Sequence, residues 1–378
     1  MMAGVKVFFD AYRYLANCLR KSISTLDPED LQRLFKVLLS GKKNTIIVDG
    51  KGRSLQSALL MEDCLEHNGF SIILPASNAN LRPWKPDDIF FFNSGSGSGS
   101  TIKHAEKARD DGLKVIGMTY NEELKEEFPD VVILKPSQNR NPVLAPLGTE
   151  FEFSTAVIGS LLGYAVNDTP EKSVKNFFTE SERFFTLFEE TISEFECNIE
   201  PVLNFIQTIA SYIHSDCGKK IYFRGVGRDA IINRVAAIRY GHLYKEPDFD
   251  LKVIYEGHWD LRSKGDLAII TSGSGSTTQS LNYAMQAYIS GMDLFGITSF
   301  KDSDLGKFTG RAGGCLVIRG RKNPYSMYNL APESRLSYLP EFELNTYLTL
   351  DALLAQIASD FKITEEDMQA AHRAKILE

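Results

Sequence analysis

The sequence predicts an α/β protein of two tandem domains, 1–170 and 171–378, each a three-layer α/β/α sandwich around a mainly parallel sheet. Three observations carry that prediction. Short apolar runs alternate with helical patterns of roughly ten residues or more, the signature of βαβ units. A Ser/Gly turn, Ser94-Gly-Ser-Gly-Ser-Gly-Ser100, follows the apolar run Ile89-Phe-Phe-Phe92 and leads into a helical pattern, and a second, Ser272-Gly-Ser-Gly-Ser-Thr277, follows Leu267-Ala-Ile-Ile270 and does the same. Other residues recur in pairs at nearly constant spacing, which is how an internal duplication reads.

In order, apolar residues at helical spacing predict helices over 5–19 and from Asp27-Pro28 to Leu39, the latter capped by Asp27. A strand at 45–48 runs into Gly50-Lys-Gly-Arg-Ser54, which opens a helix reaching His67. Strands follow at 71–74 and 89–92, then the first Ser/Gly turn, a helix over 101–111, a strand over 114–119, a short helix, a strand over 131–134 and a helix from Thr149 to Val166. After Asn167-Asp-Thr-Pro170 the pattern restarts. Two long helices, 173–196 and 201–214, precede a strand at 220–223, and Gly225-Val-Gly-Arg-Asp229 then opens a helix as the earlier GxGR turn does. Gly52 and Gly227, Arg53 and Arg228, and His67 and His242 each stand 175 residues apart; Ser94 and Ser272, and Ser96 and Ser274, stand 178 apart. Glu150-Phe-Glu152 and Glu341-Phe-Glu343 are separated by 191, the difference lying in a longer loop through 319–335.

Composition bounds the function. The chain is 43% hydrophobic with a net charge of -7, which fits a globular protein and gives no general pull toward nucleic acid or an anionic membrane. No apolar run reaches the roughly 18 residues of a membrane span, and Met1 to Asp10 lacks a basic segment followed by a sustained apolar one, so a cytoplasmic protein is expected. The five cysteines form no CxxC pair, which points to reduced, structural thiols, with Cys64 in the core, and to no zinc site. No basic–aromatic stripe suggests nucleic acid.

The chemistry concentrates in matched places. Glycine and serine at a strand-to-helix turn let a phosphate approach backbone N–H groups at a helix N-terminus, where hydroxyls complete the cradle without a lysine. Ser272, Ser274, Ser276 and Thr277 form one such set. In the first half two registers are open: Ser94 and Ser96 with Gly99 in the place of a threonine, or Ser96, Ser98 and Thr101. Spacing from Asp88, compared with Asp266, favours the first. The turns at Gly52-Arg53-Ser54 and Gly227-Arg228 follow strands, where open α/β sheets bind ligands, but neither completes GxGxxG and no GK[ST] occurs. Glu152 and Glu343, each in an apolar helical stretch, suit a general base, and the paired His67 and His242 are further candidates.

These motifs resemble the sugar isomerase (SIS) superfamily, and within it the 6-phospho-3-hexuloisomerase family, over essentially the whole chain as two consecutive copies. The resemblance rests on Gly50-Lys-Gly-Arg-Ser54, His67, Ser94-Gly-Ser-Gly97 and Gly148-Thr-Glu-Phe-Glu152, then on Gly225-Val-Gly-Arg228, Arg239-Tyr-Gly-His242, Ser272-Gly-Ser-Gly-Ser-Thr277 and Phe342-Glu343. It implies flavodoxin-like domains and sugar-phosphate isomerisation, aldose–ketose or ketose–ketose, through an enediol. In that reading the Ser/Thr turn anchors phosphate, Glu152 or Glu343 moves the carbon-bound proton, His67 or His242 assists at the oxygens, and no metal or organic cofactor is needed. Single-copy members associate so that sites form between subunits, which implies an intrachain pseudo-dimer here and a homodimer. Departures leave two alternatives: a non-catalytic sugar-phosphate-binding or sensor protein, and an amino-sugar phosphate isomerase or deaminase. The family's Gly-Glu-x-x-Thr-Pro segment survives only as Glu256 and becomes Asn78 in the first copy; Asp229 replaces the serine of GxGRS, and Asp63-Cys64 replaces the arginine before His67.

Overall fold

The structure, a computed structural model, describes residues 2–73, 84–135, 140–213, 218–245, 249–254, 259–324 and 339–374. They form two compact units, neither a single stretch of chain. One comprises Asn17–Asn139 with Glu150–Phe185, the other Met1–Ala16, Arg140–Thr149 and Thr186–Glu378. Each holds one five-stranded sheet, parallel throughout. Among the described residues no helix is long and apolar enough to cross a membrane.

The elements begin with α1 (Lys6–Ser24) and α2 (Pro28–Ser40), then β1 (Thr45–Gly50), α3 (Arg53–His67), β2 (Ser71–Ile73), β3 (Ile89–Asn93), α4 (Ser100–Asp110), β4 (Lys114–Thr119), α5 (Leu124–Glu127), β5 (Val131–Ile133), α6 (Thr149–Ala165) and α7 (Pro170–Cys197). Asp27 caps α2 as its sequence predicts, accepting from the Glu29 N–H at 2.9 Å. The first sheet runs β2-β1-β3-β4-β5. Its central strand, β3, is buried along its whole length because helices cover both faces. Phe90 and Phe92 pack with Ile102 and Ala105 of α4. One residue further on, Asn93 points to the other face and donates to the Ser54 carbonyl at 2.8 Å and the Thr155 hydroxyl of α6 at 3.1 Å. Each buried phenylalanine of this strand contributes about 2 kcal/mol.

The chain continues with α8 (Glu200–Ile213), β6 (Lys220–Arg224), α9 (Arg228–Tyr240), a small antiparallel pair of β7 (Tyr244–Lys245) and β8 (Phe249–Asp250), and β9 (Lys252–Ile254). Then come β10 (Leu267–Thr271), α10 (Thr278–Ile289), β11 (Asp293–Thr298), α11 (Asp304–Ala312), β12 (Gly314–Val317), α12 (Glu341–Asp360) and α13 (Glu365–Ala374). The second sheet runs β9-β6-β10-β11-β12, the same order as the first. Both therefore follow the 2-1-3-4-5 pattern of flavodoxin-like folds, in which the strand order reverses between the first strand and the third.

Matched contacts extend to single hydrogen bonds. Asp88 accepts from the Thr45 N–H at 3.1 Å and the Lys85 N–H at 2.8 Å; Asp266 accepts from Lys220 at 2.9 Å and Ser263 at 2.7 Å. Each aspartate precedes its central strand and ties it to the strand beside it. Cys64 is buried in α3, as expected.

Both GxGR turns depend on a backbone conformation that side chains resist. Gly52 has φ 56° and ψ -124°, and Gly227 φ 61° and ψ -129°, each just before its helix. A Cβ at either position would touch nothing within 4 Å, so any cost of substitution is backbone strain alone. We expect Gly52→Ala and Gly227→Ala each to lower the unfolding free energy by about 1–3 kcal/mol in urea titrations; undiminished stability would contradict the turn geometry.

Candidate functional site

In each unit the strand order sends two turns to one crevice. The GxGR turn leaves β1 and the Ser/Gly turn leaves β3; β6 and β10 do the same in the other unit. In open parallel sheets of this order, ligands bind at the carboxyl ends of the strands where the strand order reverses.

The GxGR arginines meet the glutamates. Arg53 Nη2 lies 3.4 Å from Glu152 Oε1, and Arg228 Nε lies 3.2 Å from Glu343 Oε1. Both pairs are largely withdrawn from water, the second more so, with side chains 8% and 7% exposed. The helix of Glu152 is anchored nearby: Ser57 donates to the Glu152 carbonyl at 2.8 Å. Ser54 contributes its carbonyl to Asn93. Glu343 Oε2 is buried and has no hydrogen-bond partner among the described residues.

The two Ser/Gly turns share a backbone but differ in closure. Ser94 N–H bonds the Met118 carbonyl at 3.1 Å, and Ser272 N–H bonds that of Ile297 at 2.9 Å, so both turns leave their strands alike. Gly97 and Gly275 have φ of 63° and 64°. Gly99 precedes α4 where Thr277 precedes α10, and neither helix start receives a side-chain cap. Thr101 is buried within the first turn of α4. The helix also begins one residue before the predicted start, at Ser100.

In the second turn Ser272 is fully buried; its hydroxyl accepts from the Gly275 N–H at 3.2 Å and donates to Thr277 at 3.3 Å. Ser274 accepts from the Ser276 N–H at 3.2 Å, and Ser276 Oγ donates to the Pro324 carbonyl at 2.7 Å. These hydroxyls hold the loop's shape. In the first turn Ser96 and Ser98 are exposed, and their hydroxyls bond each other at 2.7 Å. Ser94 is buried.

The histidines fall elsewhere. His67 is exposed at the last position of α3, and His242 is buried just beyond α9, its Nε2 3.3 Å from His372 Nδ1. At 1.5 Å per residue, each lies roughly 20 Å along its helix from the glycine that opens it. Neither is brought to the Arg–Glu pair of its own unit. Arg239, in the Arg-x-x-His segment, is buried and structural: its guanidinium donates to Asp351 at 3.0 Å and to the Pro146 carbonyl at 2.9 Å. Asn78 and Glu256 lie outside the described residues.

A pair that sequence reasoning missed stands at the first crevice. Asp49, near the end of β1, lies 2.7 Å from His104 Nδ1 in the second turn of α4. The separation of 55 residues hides it, and only the strand-order prediction that brings α4 beside β1 could have found it. In the second sheet Arg224 occupies the place of Asp49 and lies over the rings of Trp259, at 5.1 Å, and Tyr283, at 4.7 Å. A separate cleft lies at the β12 edge of that sheet, among Glu190, Glu194, Asn204 and Cys315; its acidic rim disfavours an anion.

No protein-family model matches the chain. An uncharacterised protein of Archaeoglobus fulgidus is 29% identical over 189 residues, 49% of this chain and 96% of that protein. The 3-hexulose-6-phosphate isomerase of Methylomonas aminofaciens is 25% identical over 157 residues, 42% of this chain and 81% of that enzyme. Among solved structures, a Clostridium difficile protein assigned as a phosphosugar isomerase aligns with a TM-score of 0.64 at 14% identity, covering 95% of this chain and 94% of that one. The C-terminal domain of glucosamine-fructose-6-phosphate aminotransferase from Francisella tularensis gives 0.60 at 13% identity, covering 95% and 96%. At these identities the structural likeness establishes the fold alone, which this chain shares with both proteins.

Proposed function

We propose that the chain is a sugar-phosphate isomerase of two tandem copies, 1–170 and 171–378, acting in the cytoplasm as a homodimer and resembling 6-phospho-3-hexuloisomerase. The observation that carries the reading is the Arg–Glu pair at each crevice, beside a Ser/Gly turn opening onto a helix N-terminus. Alignment of 3-hexulose-6-phosphate isomerase with 42% of the chain supports the substrate class and suits one copy per half.

In this mechanism the Ser/Gly turn and the first N–H groups of α4 or α10 hold the phosphate. The glutamate takes the proton from the carbon beside the carbonyl, giving an enediol, and returns it to the former carbonyl carbon. The arginine fixes one carboxylate oxygen, and in the second-sheet unit Oε2 of Glu343 is left for the proton. A second group must move the proton between the oxygens. Within the first-sheet unit the histidine at the crevice is His104, its ring oriented by Asp49.

Glu152→Gln with Glu343→Gln should abolish isomerisation while sugar-phosphate binding, followed by thermal shift, persists. Unchanged turnover in that double variant would overturn the reading. A non-catalytic sugar-phosphate sensor is the second reading, favoured by Asp229 in the place of Ser54; binding by wild type without turnover of any sugar phosphate would select it.

For His104→Asn in a Glu343→Gln background, which leaves the first-sheet site as the one measured, we expect kcat to fall by about a hundredfold or more, with KM little changed. Loss of turnover on His67→Asn with His104→Asn unaffected would transfer the role to His67.

A further inference from the structure

One of the differences between the units falls at the residue after the GxGR arginine. Ser54 follows the arginine of the first GxGR turn, and Asp229 follows that of the second. Asp229 Oδ2 accepts a long hydrogen bond, 3.4 Å, from the N–H of Gly273, the second residue of the Ser/Gly turn. The carboxyl therefore lies against the backbone that would receive a phosphate.

Its surroundings are mixed in sign. Arg228 comes from its own helix α9, Glu343 from α12, Arg321 from the segment after β12, and the amide of Gly273 from the turn. The Arg321 stem passes close to Gly273. Asp229 Oδ1 and Glu343 Oε2 are both shut away from solvent without a hydrogen-bond partner among the described residues. Burial first, and the charge of Glu343 second, push the Asp229 carboxyl up to about 7; the Gly273 N–H, Arg228 and Arg321 pull the other way. A sugar phosphate entering this turn adds a further charge of about -1.5 to -2. Like charges at this spacing in a dry site favour protonation of one of them.

We propose that the second-sheet site binds its sugar phosphate together with one proton, which Asp229 takes from solvent, whereas the first-sheet site, with Ser54 in that place, binds without proton uptake. The inference rests on the sugar-phosphate reading of the turns. Protonated Asp229 presents an O–H, as Ser54 does, and becomes a donor beside the anion. Because the proton enters with the ligand, apparent affinity at this site falls by about tenfold for each pH unit above 7. Below 7 the dependence flattens, until the second ionisation of the phosphate near pH 6 removes ligand charge.

Calorimetric titration of the full chain with fructose 6-phosphate, and with inorganic phosphate as the sugar-free control, tests this at pH 6.5 and 8.5 in two buffers of different ionisation enthalpy. Wild type should show one class of site weakening roughly 25-fold between these pH values with uptake of close to one proton at pH 8.5, and one class indifferent to buffer. Asp229→Ser and Asp229→Asn should both remove the proton uptake and the pH step. Binding without proton uptake in wild type, or uptake undiminished in both variants, overturns the proton link alone. Absence of binding at either pH overturns the sugar-phosphate reading and this inference with it.

Discussion

The constraint from which the site follows is strand order. A parallel sheet with its first strand in second place must send the connections after its first and third strands to opposite faces, and a gap opens between them at the carboxyl ends. The repeated GxGR turns, Ser/Gly turns and glutamates come together there. The GxGR turn needs a glycine at positive φ to start its helix directly off the strand. The Ser/Gly turn needs small residues because its backbone passes close to neighbouring side chains, Phe151 and Tyr120 in one unit and Phe342 and Arg321 in the other. The arginine after the glycine then has one direction to go, into the glutamate at the start of the last helix against the sheet.

That ion pair is weak evidence for stability. Removing two charges from water costs several kcal/mol each, and an apolar pair of similar volume would serve stability as well. The pair nevertheless occurs in both units, at matched positions and with one carboxylate oxygen held by the arginine, which is what positioning a base requires. Around the shared pair the units diverge. At the residue before the GxGR turn one carries an Asp–His couple and the other an arginine over two aromatic rings; at the residue after the arginine one carries a hydroxyl and the other a carboxyl. Both differences change the charge seen by a ligand while leaving the backbone cradle alone.

Much of this is legible in the sequence. Strands buried on both faces read as continuous apolar runs, such as Ile89 to Phe92, and the duplicated motifs align the halves without structural knowledge. Glu152 and Glu343 stand out because they recur in apolar helices. Less legible are features with no local signature. The pairing of Asp49 with His104 joins residues far apart in the chain, through α4 and the end of β1. His67 and His242 look equivalent by spacing, yet one is exposed and the other buried against His372 of α13. The serine hydroxyls of the second turn read as ligands for phosphate, and several of them bond within the turn itself.

In the proposed function this crevice moves a carbon-bound proton on a sugar phosphate. It is tested most directly by incubating the protein with candidate hexulose and pentulose 6- and 5-phosphates in deuterated water and following the carbon-bound protons by NMR. At least one of these sugars should gain deuterium at the carbon beside its carbonyl and yield its isomer. Saturable binding of the same sugars with no deuterium incorporation would contradict it.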